Sequence, residues 1–228
     1  MPQNTRTIVR RVIKRLMPTT RYKGLGELDK ALERFLPRCG FFVELGANDG
    51  IQQSNTYYFE KYKGWTGILI EPVPELFARC VRNRPNAHHF NYACTDPESA
   101  AAGELEMTYC NLMSVTKGAF SDKERESYWI ESGATMQNVT PHDLRVPSIT
   151  LSGILASCNN PHVDLLSLDV EGYEIPVLKG LDLTRHKPDV ILVETLLTPL
   201  NSIQDYLCQH YELAAEISDN DALFRARE

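Results

Sequence analysis

The ten residues from Phe41 to Gly50, FFVELGANDG, limit the fold more than any other part of the chain. Phe41, Phe42, Val43 and Leu45 make a short apolar run, which suits a parallel strand covered on both faces. Gly46 and Gly50 then break that run into a turn. Glycine at both ends of a turn lets backbone approach a ligand where a Cβ would clash, and the amides opening the next helix would face that ligand. The stretch predicts a nucleotide-type pocket at the carboxyl end of a first strand. The plain alternative is a strand-turn-helix junction that binds nothing.

Spacing narrows the ligand. A dinucleotide fingerprint needs a middle glycine to admit a pyrophosphate, and G-A-N-D-G lacks it, which disfavours a nicotinamide-dependent oxidoreductase. With Glu44 one residue removed from Gly46, the stretch resembles the E/D-x-G-x-x-x-G signature of S-adenosylmethionine-dependent methyltransferases, whose cofactor carries no phosphate. That resemblance assigns Glu44, Gly46, Ala47, Asn48 and Gly50 to the cofactor. Ser54, Asn55 and Thr56 open a helix to about Tyr62, either capping it or holding a carboxylate; Ser54 and Asn55 are assigned to the cofactor as well. GWTGILIEP reads as the second strand, and Glu71 at its end lies 25 residues beyond Gly46. This is close to the offset of roughly 20 residues at which an acid reaches ribose hydroxyls in such folds. Pro72 adjoins it, and Pro72 and Pro74 start a helix through Cys80. Ala87 to Cys94 reads as a third strand, with Thr95 and Asp96 at its end where an adenine would lie, Cys94 and Asp96 assigned to the cofactor, and His88 and His89 at the wrong end for chemistry.

A chain of 228 residues fits one α/β domain. Its formal charge of -6 conceals an asymmetry, because seven Arg and Lys precede the first acid, Glu27. Removing those seven from the 24 leaves 17 basic residues against 30 acidic ones, a balance that gives no support to a nucleic-acid partner. Residues 5–17 set Ile8, Val9, Val12, Ile13 and Leu16 against a basic face until Pro18. This predicts an amphipathic helix that packs on the domain or a partner, lies on anionic lipid, or serves as a targeting segment. The six cysteines show no paired spacing, and no apolar run approaches the ~20 residues that span a bilayer. Reduced thiols and a cytoplasmic body, with the helix as its route to a membrane surface, are the expectation. Residues 1–38 form a helical N-terminal segment including a second helix near Glu27 to Phe35, and residues 39–228 form the domain.

Residues 103–145 interrupt the βα rhythm with an extra strand, GELEMTYC, and a polar helix-prone stretch. Such an insertion is a natural lid over a site. The rhythm returns with SITLSGIL, then DLLSLDVEGYE, a helix through Leu178 and the strand DVILVE, followed by a helix over Ile203 to His210. YELAAEI and ALFRAR then close the chain as a hairpin.

Taken in order, ELGANDG, GWTGILIEP, SITLSGIL, DLLSLDVEGYEIPVLKGL and VILVE resemble the FkbM family of S-adenosylmethionine-dependent O-methyltransferases, over about Phe41 to Arg225. Ser152-Gly153 departs from the acids common there. The resemblance implies an α/β class I methyltransferase (Rossmann-like) fold: a seven-stranded, mostly parallel sheet with an antiparallel closing strand and helices on both faces. It also implies S-adenosyl-L-methionine as cofactor and methyl transfer to a hydroxyl of a sugar, glycan or polyketide-like small molecule; the alternative is a cofactor-binding scaffold without turnover. Open α/β sheets bind ligands at the carboxyl ends of their strands. There Asp169, Glu171 and Glu194 remain for the acceptor side, with Asp169 reaching the cofactor too. A metal-free acid as base is preferred over Mg²⁺, because no dedicated third ligand stands out beside Asp169 and Glu194. His142 in the lid is the outside candidate for base.

Overall fold

The computed structural model describes residues 21–228; the helix expected over residues 5–17 lies outside them. After a 3₁₀ turn at Leu25–Glu27, the elements are α1 (Leu28–Leu32), β1 (Phe41–Leu45), α2 (Tyr57–Lys63), β2 (Thr66–Ile70), α3 (Pro74–Asn83), β3 (His88–Phe90), β4 (Ala93–Cys94) and α4 (Pro97–Ala101). The insertion holds β5 (Glu104–Tyr109), a 3₁₀ turn at Asn111–Met113, β6 (Val115–Thr116), α5 (Lys123–Gln137) and the first half of β7 (His142–Ile149). Then come α6 (Leu151–Ser157), β8 (Leu165–Leu168), α7 (Glu174–Lys179), β9 (Val190–Glu194), α8 (Leu200–Leu207), β10 (Tyr211–Ser218) and β11 (Asp221–Ala226).

The main sheet has seven strands in the order β10-β11-β9-β8-β1-β2-β3. β11 runs antiparallel to both its neighbours, and the pairs between β9 and β3 are parallel. Alternation along each strand divides the core between two faces. Val43, Leu45, Ile68, Ile70, Leu166, Leu168, Ile191 and Val193 pack with α6, α7 and α8. Phe42, Leu69, Leu165 and Leu192 pack on the other side with α1, α2 and Trp65. Both faces are buried, as the unbroken apolar runs require.

Two expectations need correction. The third strand is not continuous: at Asn91 the chain leaves the main sheet, its side-chain amide donating to the carbonyls of Glu71 and Pro72, both at 2.8 Å. Cys94 therefore belongs to β4, in a second, four-stranded sheet of order β4-β7-β5-β6. That sheet is the larger surprise, because β7 pairs with the whole of β5 and turns the insertion into a folded layer. Trp129, Cys110, Met113 and Val115 give it a small core of its own. No described helix is long and apolar enough to cross a membrane.

Candidate active site

Strand register builds the site. Leu45 of β1 pairs with Ile70 of β2 and Leu168 of β8, and Leu168 pairs with Val193 of β9. The residues that follow, Glu71, Gly46, Asp169 and Glu194, therefore form one row across the carboxyl edge of the sheet. Asp221, paired with Glu194, extends it onto β11. Four acids and a glycine thus occupy one level. Gly46 has φ of 76°, and a Cβ there would run into the carbonyl oxygen of Asp169. Only glycine lets the β1 turn and the end of β8 approach this closely at that φ.

Glu44 lies one level deeper, in register with Leu69 and Ser167. Its carboxylate accepts from Ser54 Oγ at 2.8 Å, the Asn55 amide at 2.7 Å and Thr56 Oγ1 at 2.7 Å. The buried guanidinium of Arg84 stands 3.9 Å away. Arg84 also pairs with Glu60 at 2.6 Å and donates to the Gly50 carbonyl at 3.0 Å. Glu44, Ser54 and Asn55, expected at the cofactor, are instead joined through the Glu44 carboxylate beneath the edge and do not line the cavity. Gly50 packs on Arg84 and Cys80, and Ala47 packs in the core beside α2; neither lines the cavity. Arg84 escaped sequence reading, since a lone arginine at a helix end carries no pattern.

Glu71, Asn48, Gly46 and Pro72 do line the cavity. Glu71 is buried and accepts from the backbone amides of Asn48 and Val73, both at 2.8 Å. Burial raises its carboxyl to about 7, against the pull of those amides. Cys94 also lines it, but burial pushes its thiol up to about 12, so it is an apolar wall and not a nucleophile. Asp96 caps α4, accepting from the Glu98 and Ser99 amides at 3.0 Å each, and turns away from the cavity. His88 is exposed and His89 half-buried on β3, both outside the cavity. His142 is exposed at the start of β7 and does not reach it.

On the other half of the edge, Asp169, Glu171 and Glu194 converge, each presenting an oxygen within 4.8 Å of the others. The turn after β8 is what brings Glu171 there. Glu171 has φ of 54° and Gly172 of 92°, and Glu174 holds that strained turn by accepting from the Val170 amide at 3.3 Å and the Gly172 amide at 3.1 Å. Thr198 donates to the other oxygen of Glu174. Glu194 is 7 % exposed, and its Oε2 has no hydrogen-bond partner. Burial first, then the charges of Asp169 and Glu171, raise its carboxyl well above the ordinary range.

The insertion supplies the far wall through Asn111, Met113, Trp129 and Gln137. Asn48 donates to Asn111 at 3.3 Å and Asn111 to Gln137 at 3.2 Å, which ties the glycine turn to α5. The buried indole N–H of Trp129 has no partner. Neither contact was legible in the sequence, because each joins residues dozens of positions apart.

Residues 44–224 match the model of the methyltransferase FkbM domain. Methyltransferase 1 of Beauveria bassiana (strain ARSEF 2860) is 27% identical over 157 residues, covering 64% of this chain and 60% of that protein. The crystal structure of methyltransferase FkbM from Methylobacillus flagellatus KT aligns with a TM-score of 0.52 at 11% identity, covering 97% of this chain and 59% of that one. The chain thus spans about three fifths of the length of each of these relatives. The fold is that of class I methyltransferases, and with the family match covering most of its length the chain belongs to the FkbM methyltransferase family.

Proposed function

We propose that the protein transfers a methyl group from S-adenosyl-L-methionine to a hydroxyl of a small molecule or glycan seated between the sheet edge and the insertion. The observation that carries this reading is the row Glu71–Gly46–Asp169–Glu194, which divides one cavity into two chemically distinct halves. Glu71 has lone pairs left after its two amide bonds, and these suit the hydroxyls of a ribose. Gly46 lines the same cavity beside Glu71, and the close approach of the Asp169 carbonyl that only glycine permits there holds the two halves of the row together. Bound there, the cofactor would supply an activated methyl on a positively charged sulfur.

The chain's own residues must then position and deprotonate the acceptor. Alignment of the reacting atoms is worth roughly 7 to 11 kcal/mol of barrier, and a proton acceptor a further 10²- to 10⁴-fold. Bound S-adenosylmethionine would give its methyl carbon to the acceptor oxygen and keep the electron pair of the broken bond on sulfur, while Asp169, Glu171 and Glu194 would lie where the hydroxyl proton has to leave. Trp129 offers a desolvated N–H, and Gln137 and Asn111 offer amides, to orient a polyhydroxylated acceptor from the insertion side.

Calorimetric titration with S-adenosylhomocysteine and with NAD tests the cofactor, and turnover on a panel of sugars, glycans and phenolic or polyketide-like alcohols tests the reaction. Binding of S-adenosylhomocysteine without NAD binding, and methylation of a hydroxyl, are expected. Binding with no turnover on any acceptor would favour a scaffold.

A further inference from the structure

The geometry points to a divalent cation site formed by Asp169, Glu171 and Glu194, where the ion would bind the acceptor hydroxyl and acidify it. The inference rests on the methyltransferase reading above and adds the agent that takes charge of the acceptor's proton. Three observations carry it. The carboxylates come from two adjacent strands and the turn beyond β8, and each offers an oxygen within 4.8 Å of the other two. The strained backbone at Glu171, braced by Glu174, supplies the third ligand that the linear spacing of Asp169 and Glu194 did not show. Glu194 is more than nine-tenths buried, lines the cavity and leaves Oε2 without a hydrogen-bond partner.

A buried polar atom that lacks a partner, on a residue lining a cavity, calls for an explanation, and an ion held with Asp169 and Glu171 supplies one. All three donors are carboxylate oxygens, with no thiol or imidazole in the set, which selects a hard ion such as Mg²⁺ or Mn²⁺ over zinc or copper. Three monodentate carboxylates occupy one side of an octahedron. Because all three residues line the cavity, water or an acceptor oxygen could complete the shell of the ion they would hold. A cation there neutralises the acids and lowers the pKa of a coordinated hydroxyl, so that its proton leaves before or during transfer. The proton then passes to solvent, and the oxygen attacks as an alkoxide held by the ion.

The test uses the full chain saturated with S-adenosylhomocysteine. Titration with Mn²⁺, followed by loss of the free-ion electron paramagnetic resonance signal, should show one site per chain that Mg²⁺ displaces. E194Q and E171Q should each weaken Mn²⁺ at least tenfold, with the circular dichroism and S-adenosylhomocysteine affinity of the parent. E171Q, at the more accessible carboxylate, answers the question should E194Q fail to fold. Methyl transfer should stop in EDTA and return with Mg²⁺. No Mn²⁺ binding by a chain that binds S-adenosylhomocysteine, Mn²⁺ binding unchanged in E171Q, or full transfer in EDTA would each overturn the cation site while leaving the methyltransferase reading in place. Failure to bind S-adenosylhomocysteine would overturn that reading instead, and Glu171-dependent Mn²⁺ binding would still establish the ion site.

Discussion

Glu44 and Glu194 look alike in the sequence, each an acid in or at the end of a buried apolar strand, and they are about equally hidden at 4 % and 7 % exposure. Their surroundings differ completely. Glu44 accepts from a serine, a threonine and a backbone amide, with Arg84 close by. Glu194 faces other acids, and Oε2 is left with no partner. Burial therefore does not separate a structural acid from a functional one; hydrogen-bond satisfaction does, since an unsatisfied buried oxygen is costly unless something else comes to fill its place. Glu44, below the edge, is satisfied by the protein itself, whereas Glu194, on the edge, keeps an oxygen that the protein does not partner.

The sharpest way to break this comparison is to remove Glu44. Glu44→Ala strands Ser54, Thr56 and the Asn55 amide and deprives the buried Arg84 of one of its two nearby carboxylates. Loss of one partner from such a buried charge network costs about 3 to 5 kcal/mol. Urea unfolding should show a lowered midpoint at unchanged m-value. A loss below about 1 kcal/mol would mean that Glu44 is not the keystone its contacts suggest.

Glu194→Gln should behave in the opposite way. The amide removes a buried like charge, so stability should stay within about 1 kcal/mol of the parent or rise. Turnover should nevertheless fall by about 10²-fold or more, as expected of a group that matters mainly in the transition state. Equal loss of stability in both variants would erase the distinction between the two halves.

Glu71 sits between these extremes, with both oxygens engaged by amides yet facing the cavity. Glu71→Ala would leave those amides unsatisfied, so Glu71→Gln is the cleaner variant. It should weaken S-adenosylhomocysteine by about 1.5 to 3 kcal/mol, the worth of a hydrogen bond to a charged acceptor. The pH dependence is the finest probe. In the empty site burial holds Glu71 near 7, so below that pH the carboxyl carries a proton. Ribose hydroxyls donating to it favour the ionised form and lower its pKa in the complex. Affinity should therefore rise with pH up to about 7, by at most tenfold per unit, and level off above. Binding by Glu71→Gln should be flat over that range.

Much of the fold was legible because apolar runs and glycine breaks are local. The seven strands of the main sheet, the antiparallel β11 and the closing hairpin follow from such runs. Boundaries were less so: α2 begins at Tyr57, whose amide donates to Ser54 Oγ at 3.0 Å, so Ser54 caps the helix from outside it. The second sheet went unread, since the pairing of β5 with β7 spans an insertion that carries no strand-to-strand signal of its own.

For the site, the sequence by itself determined which residue types stand near the carboxyl edge: Gly46, Glu71, Asp169, Glu171 and Glu194. Tertiary structure alone decided their depth. Period-two alternation tells which face a side chain takes but not how far along its strand it sits relative to strands more than 100 residues away. The registers of β1 with β2 and β8 set Glu44 one level below the edge, among core residues, and set Glu71 and Asp169 on the edge itself. The β11–β9 register recruited Asp221, and the packing of the insertion placed Trp129 and Gln137 across the cavity, residues whose roles exist only once distant segments share one space.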